Sequence, residues 1–148
     1  MKDAESDDPL WVVVYTSAAA RELDPDELRT MLAGARRRNR ARGVTGVLVY
    51  HDRMFMQAME GPRSVVQALL STISLDERHR GLLVMLNEAA LARRFTDHAM
   101  AFRNITGDPL PEGFSDLLHR ERDAAPFGDS RDRVHRLLTI FADTIRRR

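Results

Sequence analysis

Gln57 is the residue in this sequence that most needs a chemical explanation. It stands inside Met54-Phe55-Met56-Gln57-Ala58-Met59, an otherwise apolar run, and by period two it shares a face with Phe55 and Met59. A carboxamide in such a run costs on the order of 1–3 kcal/mol for each group left without a partner, so Gln57 must bond to protein, to water or to a bound molecule. Two further polar groups stand on inward faces. Tyr15 closes the β-rich run Leu10-Trp11-Val12-Val13-Val14-Tyr15, and Asn39 follows Ala35 by four residues and Leu32 by seven. On spacing alone Asn39 reads equally well as a polar C-terminal cap before Gly43. Tyrosine, asparagine and glutamine supply donors and acceptors. Walled by Leu, Val, Met and Phe, they suit a flat heteroaromatic ligand with donors and acceptors of its own. Hydrolysis is a poor match, since the pattern holds no Ser-His-Asp set, no inward carboxylate pair and no histidine pair at metal-ligand spacing. The absence of cysteine excludes disulfides, thiolate metal sites and cysteine nucleophiles.

The elements that must position these groups follow from periodicity. Leu10 to Tyr15 predicts a first strand with Trp11, Val13 and Tyr15 on one face, and Thr16-Ser17-Ala18 opens a polar loop. Asp24-Pro25-Asp26-Glu27 predicts a helix start, with Asp24 as cap, Pro25 in the first turn and Glu27 completing a capping box. That helix should run to about residue 40 with Leu28, Met31, Leu32, Ala35 and Asn39 inward, Arg38 at the edge, and Arg36 and Arg37 in solvent. Val47–Tyr50 and Met54–Met59, joined by His51–Arg53, predict a β-hairpin in the middle of a sheet. A second helix starts at Gly61-Pro62 and carries Val65, Val66, Leu69, Leu70 and Ile73; Asp76–Gly81 is a charged turn; Leu82–Leu86 is a fourth strand. Residues 87–97 read as a connection with helical character and Ala99–Phe102 as a fifth strand. Two amphipathic helices, about 112–122 and 130–146, close the chain, the second with Val134, Leu137, Leu138, Phe141 and Ile145 on one face.

The order β-α-β-β-α-β-β predicts an α+β, ferredoxin-like sandwich. Its mixed five-stranded sheet carries the two long helices on one face, and the two C-terminal helices are expected on the other. In that fold Tyr15, Asn39 and Gln57 all point between the sheet and the helices, with Tyr15 and Gln57 on neighbouring strands. The 148 residues suit one domain with trimmings: a disordered acidic tail at 1–9, a domain at 10–103 and a helical extension at 104–148. With 43% apolar and 30% charged residues the composition is that of a soluble globular protein. A run of about 18 apolar residues is missing, as is the apolar core of a signal peptide, so a cytoplasmic protein without a membrane partner is expected. A net charge of +1 gives no general pull toward nucleic acid, and Arg36-Arg37-Arg38 and Arg146-Arg147-Arg148 read as solvated helix ends.

Several segments together resemble the BLUF domain, a blue-light sensor that binds FAD. They are Tyr15-Thr16-Ser17, Asn39 with Gly43-Val44-Thr45-Gly46, Phe55-Met56-Gln57-Ala58-Met59-Glu60-Gly61, Asp76 to His79, and Arg94-Phe95 with Met100. The resemblance covers residues 10–103 and implies FAD as cofactor, with FMN or riboflavin able to take the same place. It implies that Tyr15 is the photo-oxidised electron and proton donor. Gln57 is then the glutamine between that tyrosine and the flavin N5/O4 edge, and Asn39 the partner of the O4/N3 edge. Arg38 stands on the O2 side, Arg78 and His79 approach the ribityl or phosphate part, and Met100 on strand five responds to the glutamine. Where many members carry tryptophan, two residues before that methionine, this chain has His98. The same resemblance implies a short protein with no catalytic output of its own, which signals through a homodimer or higher oligomer, or to a downstream protein partner, without contacting nucleic acid directly. Two readings compete: a ferredoxin-like RNA-binding module, which needs exposed aromatics where this chain has Met54–Met59, and a flavin-free interaction scaffold.

Overall fold

The computed structural model describes residues 8–21, 23–51, 53–95, 101–104 and, near the C-terminus, 133–134, 136–138 and 140. The fold is α+β: an antiparallel four-stranded sheet with helices packed on it. In chain order the elements are β1 (Leu10–Ala19), α1 (Pro25–Arg42), β2 (Thr45–His51), β3 (Met54–Pro62), α2 (Arg63–Ser74), β4 (His79–Ala89) and the short β5 (Ala101–Asn104). The antiparallel strands run in the order β4-β1-β3-β2, and the backbone of β5 pairs parallel beside β2. Among the described residues no helix is long and apolar enough to cross a membrane.

Each element forms for a reason visible in its residues. In α1 the Asp24 carboxylate accepts from the Glu27 N–H at 2.9 Å and the Glu27 carboxylate accepts from the Asp24 N–H at 3.2 Å, the reciprocal capping box its spacing predicts. The helix stops at Gly43, whose φ of 74° is left-handed and whose N–H bonds the Asn39 carbonyl. Helix α2 begins at Pro62, which offers no side-chain cap. Asp8 supplies one, accepting from the Ser64 N–H and hydroxyl, both at 2.7 Å, while the Pro9 carbonyl accepts from the Arg63 N–H. Asp8 and Pro9, assigned from the sequence to a tail, thus lie against the fold.

Strand alternation sorts the core into two layers. On one face, called the front, Val13, Tyr15 and Met59 pack with Val44 and with Val66 and Leu69 of α2, and Leu48, Tyr50 and Phe55 pack with Leu28 and Leu32 of α1. On the back, Val12, Val14, Val47, Val49, Met56 and Ala58 surround Phe95, Val134 and Leu138. The described residues 133–134, 136–138 and 140 are helical. The Arg133 guanidinium donates to Glu88 of β4 at 2.5 Å.

Three expectations need correction. Strand β1 continues through Thr16–Ala19, because paired strands on both sides satisfy its backbone whatever the side chains are. Strand β4 is His79–Ala89 and not only Leu82–Leu86. Residues 87–89 are strand, not helical connection, since Asn87, Glu88 and Ala89 pair with Val13, Val12 and Trp11. Arg36 is half-buried, and its pKa is lowered by that burial and by Arg40, whereas Arg37 is exposed as expected. Of the expected strand at Ala99–Phe102, residues 101 and 102 lie in β5, while residues 99 and 100, the helix expected at 112–122 and His98 fall outside the described residues, as does Met100.

Candidate functional site

A cavity of about 250 Å3 opens between α1, α2 and the front of the sheet. Strand β1 contributes Tyr15, β2 Leu48, and β3 Phe55, Gln57 and Met59. Helix α1 contributes Met31, Leu32, Ala35, Arg38 and Asn39; α2 contributes Leu69, Thr72 and Ile73; the turn into β4 contributes Asp76, Arg78 and His79. Tyr15, Arg38, Asn39, Gln57, Arg78 and His79, six positions singled out in the sequence, therefore border one space. Met100, the seventh, lies outside the described residues.

Tyr15 and Gln57 are directly opposite in the β1–β3 register, so the sheet itself fixes their separation. Both are buried, at 1% and 8% exposure. The Tyr15 hydroxyl donates to Gln57 Oε1, which orients the carboxamide with its NH2 on the side away from the phenol. Burial raises the Tyr15 pKa, and the Asp76 carboxylate raises it further, so the phenol holds its proton. At Asn39 backbone and side chain part company, and Gly43, not Asn39, is the C-cap of α1. The Asn39 backbone carbonyl takes the N–H groups that close α1, from Gly43 and from Val44 at 2.8 Å, while its side chain is buried and borders the cavity.

The polar end of the cavity is built by Asp76, Arg78 and His79. Arg78 donates to the Asp76 carboxylate through Nη2 at 2.6 Å and Nε at 3.0 Å, and these bonds hold the Asp76 pKa down at about 2. His79 Nδ1 lies 2.8 Å from the Ser17 hydroxyl, and its ring meets Tyr15 edge-on at 6.3 Å between centroids and Phe55 at 5.3 Å. Burial lowers the His79 pKa, with Asp76 opposing and Arg78 adding to the shift. Arg38 is exposed at the cavity's border; a Cβ at Gly34 would lie 3.0 Å from its Nη1, so a bare Gly34 leaves the guanidinium room to fold back. Ser17 and Asp76 act on this end of the site without being predicted for it. Both stand within the segments that carry the family resemblance; Asp76 meets Arg78 two residues along the same turn, whereas only the pairing of β1 with β4 brings Ser17 to His79.

This arrangement is a partly open, mainly apolar slot with donors and acceptors on its sheet side and ionic groups at one end. Its shape and chemistry suit a flat conjugated ring between the aliphatic walls, with the buried amides and phenol available to a polar edge. The residues present therefore fit an isoalloxazine ring. Among the described residues no group of His, Asp and Glu is placed to hold a metal ion.

Comparison with known proteins agrees. Residues 10–101 match the family described as BLUF, sensors of blue-light using FAD, and the chain belongs to that family. It is 33% identical over 86 residues to the blue light- and temperature-regulated antirepressor BluF of Escherichia coli, a match spanning 58% of this chain and 21% of that protein. The chain thus spans about a fifth of that relative's length. Against BlrB, described as a BLUF protein in its dark state, identity is 37%, the TM-score is 0.62, and 66% of this chain and 74% of that one are covered. A Klebsiella pneumoniae BlrP1 complex is 24% identical with a TM-score of 0.75 over 90% of this chain and 33% of its own, a likeness of fold alone. The protein carries a blue-light-sensing domain whose cofactor is FAD.

Proposed function

We propose that Tyr15 and Gln57 are the light-responsive pair and that their rearranged hydrogen bonds are the signal. The observation carrying this reading is the buried Tyr15–Gln57 hydrogen bond on the wall of the cavity. Bound FAD supplies absorption of blue light and, once excited, a strong one-electron oxidant. Tyr15 gives up an electron and its hydroxyl proton, and Gln57 Oε1, already accepting from that hydroxyl, is the first group placed to receive the proton. Rotation of the carboxamide, or its conversion to the imidic tautomer, exchanges donor for acceptor on both sides at once. Asn39 and Arg38 hold the ring edge, and Arg78 and His79 lie toward the ribityl and phosphate part. In a dry pocket one exchanged bond, about 1 kcal/mol, suffices to bias a neighbouring strand.

The chain works as a five-stranded ferredoxin-like sandwich with a helical layer on its back face, divided into a flavin domain at 10–103 and a helical extension at 104–148. Met100 and strand five pass the change to that extension, and from there to a second copy or to a downstream protein in the cytoplasm. The domain senses and does not catalyse. Purified protein should be yellow, its flavin band should move to longer wavelength under blue light, and the shift should revert in darkness. A spectrum indifferent to illumination refutes the reading.

A further inference from the structure

The light-responsive pair leaves one buried charged group unexplained. Glu60 is fully buried at 0% exposure, three residues after Gln57 on β3. Its carboxylate accepts from the backbone N–H of Arg94 at 2.8 and 2.9 Å, from the N–H of Phe95 at 2.6 Å and from the Thr45 hydroxyl at 3.1 Å, with the Arg94 guanidinium at 4.0 Å. The neighbouring Arg93 donates to Thr45 Oγ1 at 3.0 Å, to the Glu60 carbonyl at 3.3 Å and to the Gly43 carbonyl at 2.7 Å.

The segment Arg93–Phe95 is therefore clipped to three places: the C-terminal cap of α1, the start of β2 and the end of β3. Those are the ends of the elements that carry Asn39 and Gln57 into the cavity. The far side of the clip is Phe95, buried at 4% in the back-face core with Met56, Ala58, Val134 and Leu138. A carboxylate buried this deeply is stable only while its donors stay in place, so a displacement at either end disturbs the other.

We propose that Glu60 is a positioning residue that couples the hydrogen-bond state at Gln57 to the back-face helix by holding Arg93–Phe95 on the end of β3. The coupling rests on the light-responsive reading of Gln57. The test uses the full chain with FAD bound and compares wild type with Glu60→Gln, whose amide turns an NH2 toward backbone N–H donors, and with Thr45→Val, which removes one donor to the carboxylate and leaves the charge intact. Both variants should keep the flavin and the light-induced red shift. Dark recovery should change by about fivefold, the factor that one lost hydrogen bond corresponds to. The light-minus-dark difference in amide hydrogen exchange over residues 133–140 should shrink toward zero. A merely structural Glu60 lowers thermal stability while leaving recovery and the exchange difference at their wild-type values, and that result overturns the proposal. If Glu60→Gln does not accumulate as folded protein, Thr45→Val decides by the same readouts. A wild type with no red shift removes the Gln57 reading itself, whereas a normal shift with unchanged coupling removes only the role of Glu60.

Discussion

At the residue scale the proposed light response depends on keeping one phenol protonated and one amide oriented. Burial does the first for Tyr15, and the hydrogen bond from the Tyr15 hydroxyl, across a separation set by the β1–β3 register, does the second for Gln57. Tyr15→Phe and Gln57→Leu should each retain bound flavin and lose the light-induced shift; a shift surviving in either variant takes that residue out of the pair. Tyr15→Phe also leaves Gln57 Oε1 without its phenol donor, which should lower stability by about 1–3 kcal/mol in a urea titration. Acid should weaken the protein through the cavity's ionic end. His79 has a folded-state pKa below its ordinary 6.5, so the unfolded chain binds that proton first. The stability tied to neutral His79 is whole above pH 6.5 and is lost as pH falls through the depressed value. Asp76, held at about 2 against an ordinary 3.8, acts in the same direction at lower pH. Melting temperature should therefore decline as pH drops below 6.5, and His79→Gln should flatten the first part of that decline. A slope unchanged in His79→Gln assigns the effect to other groups.

At the element scale, local chemistry fixes where the helices start and how closely the hairpin strands approach. Asp24→Ala removes the side-chain half of the α1 capping box and should cost about 1 kcal/mol, read from the urea midpoint. Gly46 is a stricter constraint. A Cβ there would lie 2.1 Å from the Ala58 carbonyl oxygen, a distance real structures do not show, and the obstacle is backbone. Gly46→Ala must push β2 and β3 apart beside Gln57 and Met59. The expected outcome is a protein that binds flavin poorly or fails to accumulate, and near-native flavin content would show that the hairpin can yield.

At the scale of the whole molecule, the two faces of the sheet have separate tasks. The front holds the cavity and both long helices, while the back is closed in part by Val134 and Leu138, each fully buried. Leu138→Ala should destabilise by about 2–5 kcal/mol, as deletion of a well-packed leucine does, and should leave the dark flavin spectrum unchanged because the cavity lies on the other face. A shifted dark spectrum in that variant would mean that the faces are coupled even without light. Truncation after residue 103 should expose the back-face valines and change the oligomeric state seen by light scattering.

The sequence alone determined that Tyr15, Asn39 and Gln57 face one space, because an amide or phenol in an apolar run and an asparagine at a helical spacing reveal their directions through periodicity. It also determined the start of α1, since Asp24, Pro25 and Glu27 are local signals read within a few residues, while the end expected near residue 40 falls at Arg42 before Gly43. Tertiary structure decided what depends on a distant partner. Thr16–Ala19 became strand because two neighbours pair with it. Asn87 and Glu88 extended β4 for the same reason, against their own propensities. Asp8 became a helix cap because the sheet brings it to Ser64, and Glu60 became the anchor of a segment 34 residues away. Periodicity reports which way a side chain points; only the packed chain decides which group it meets there.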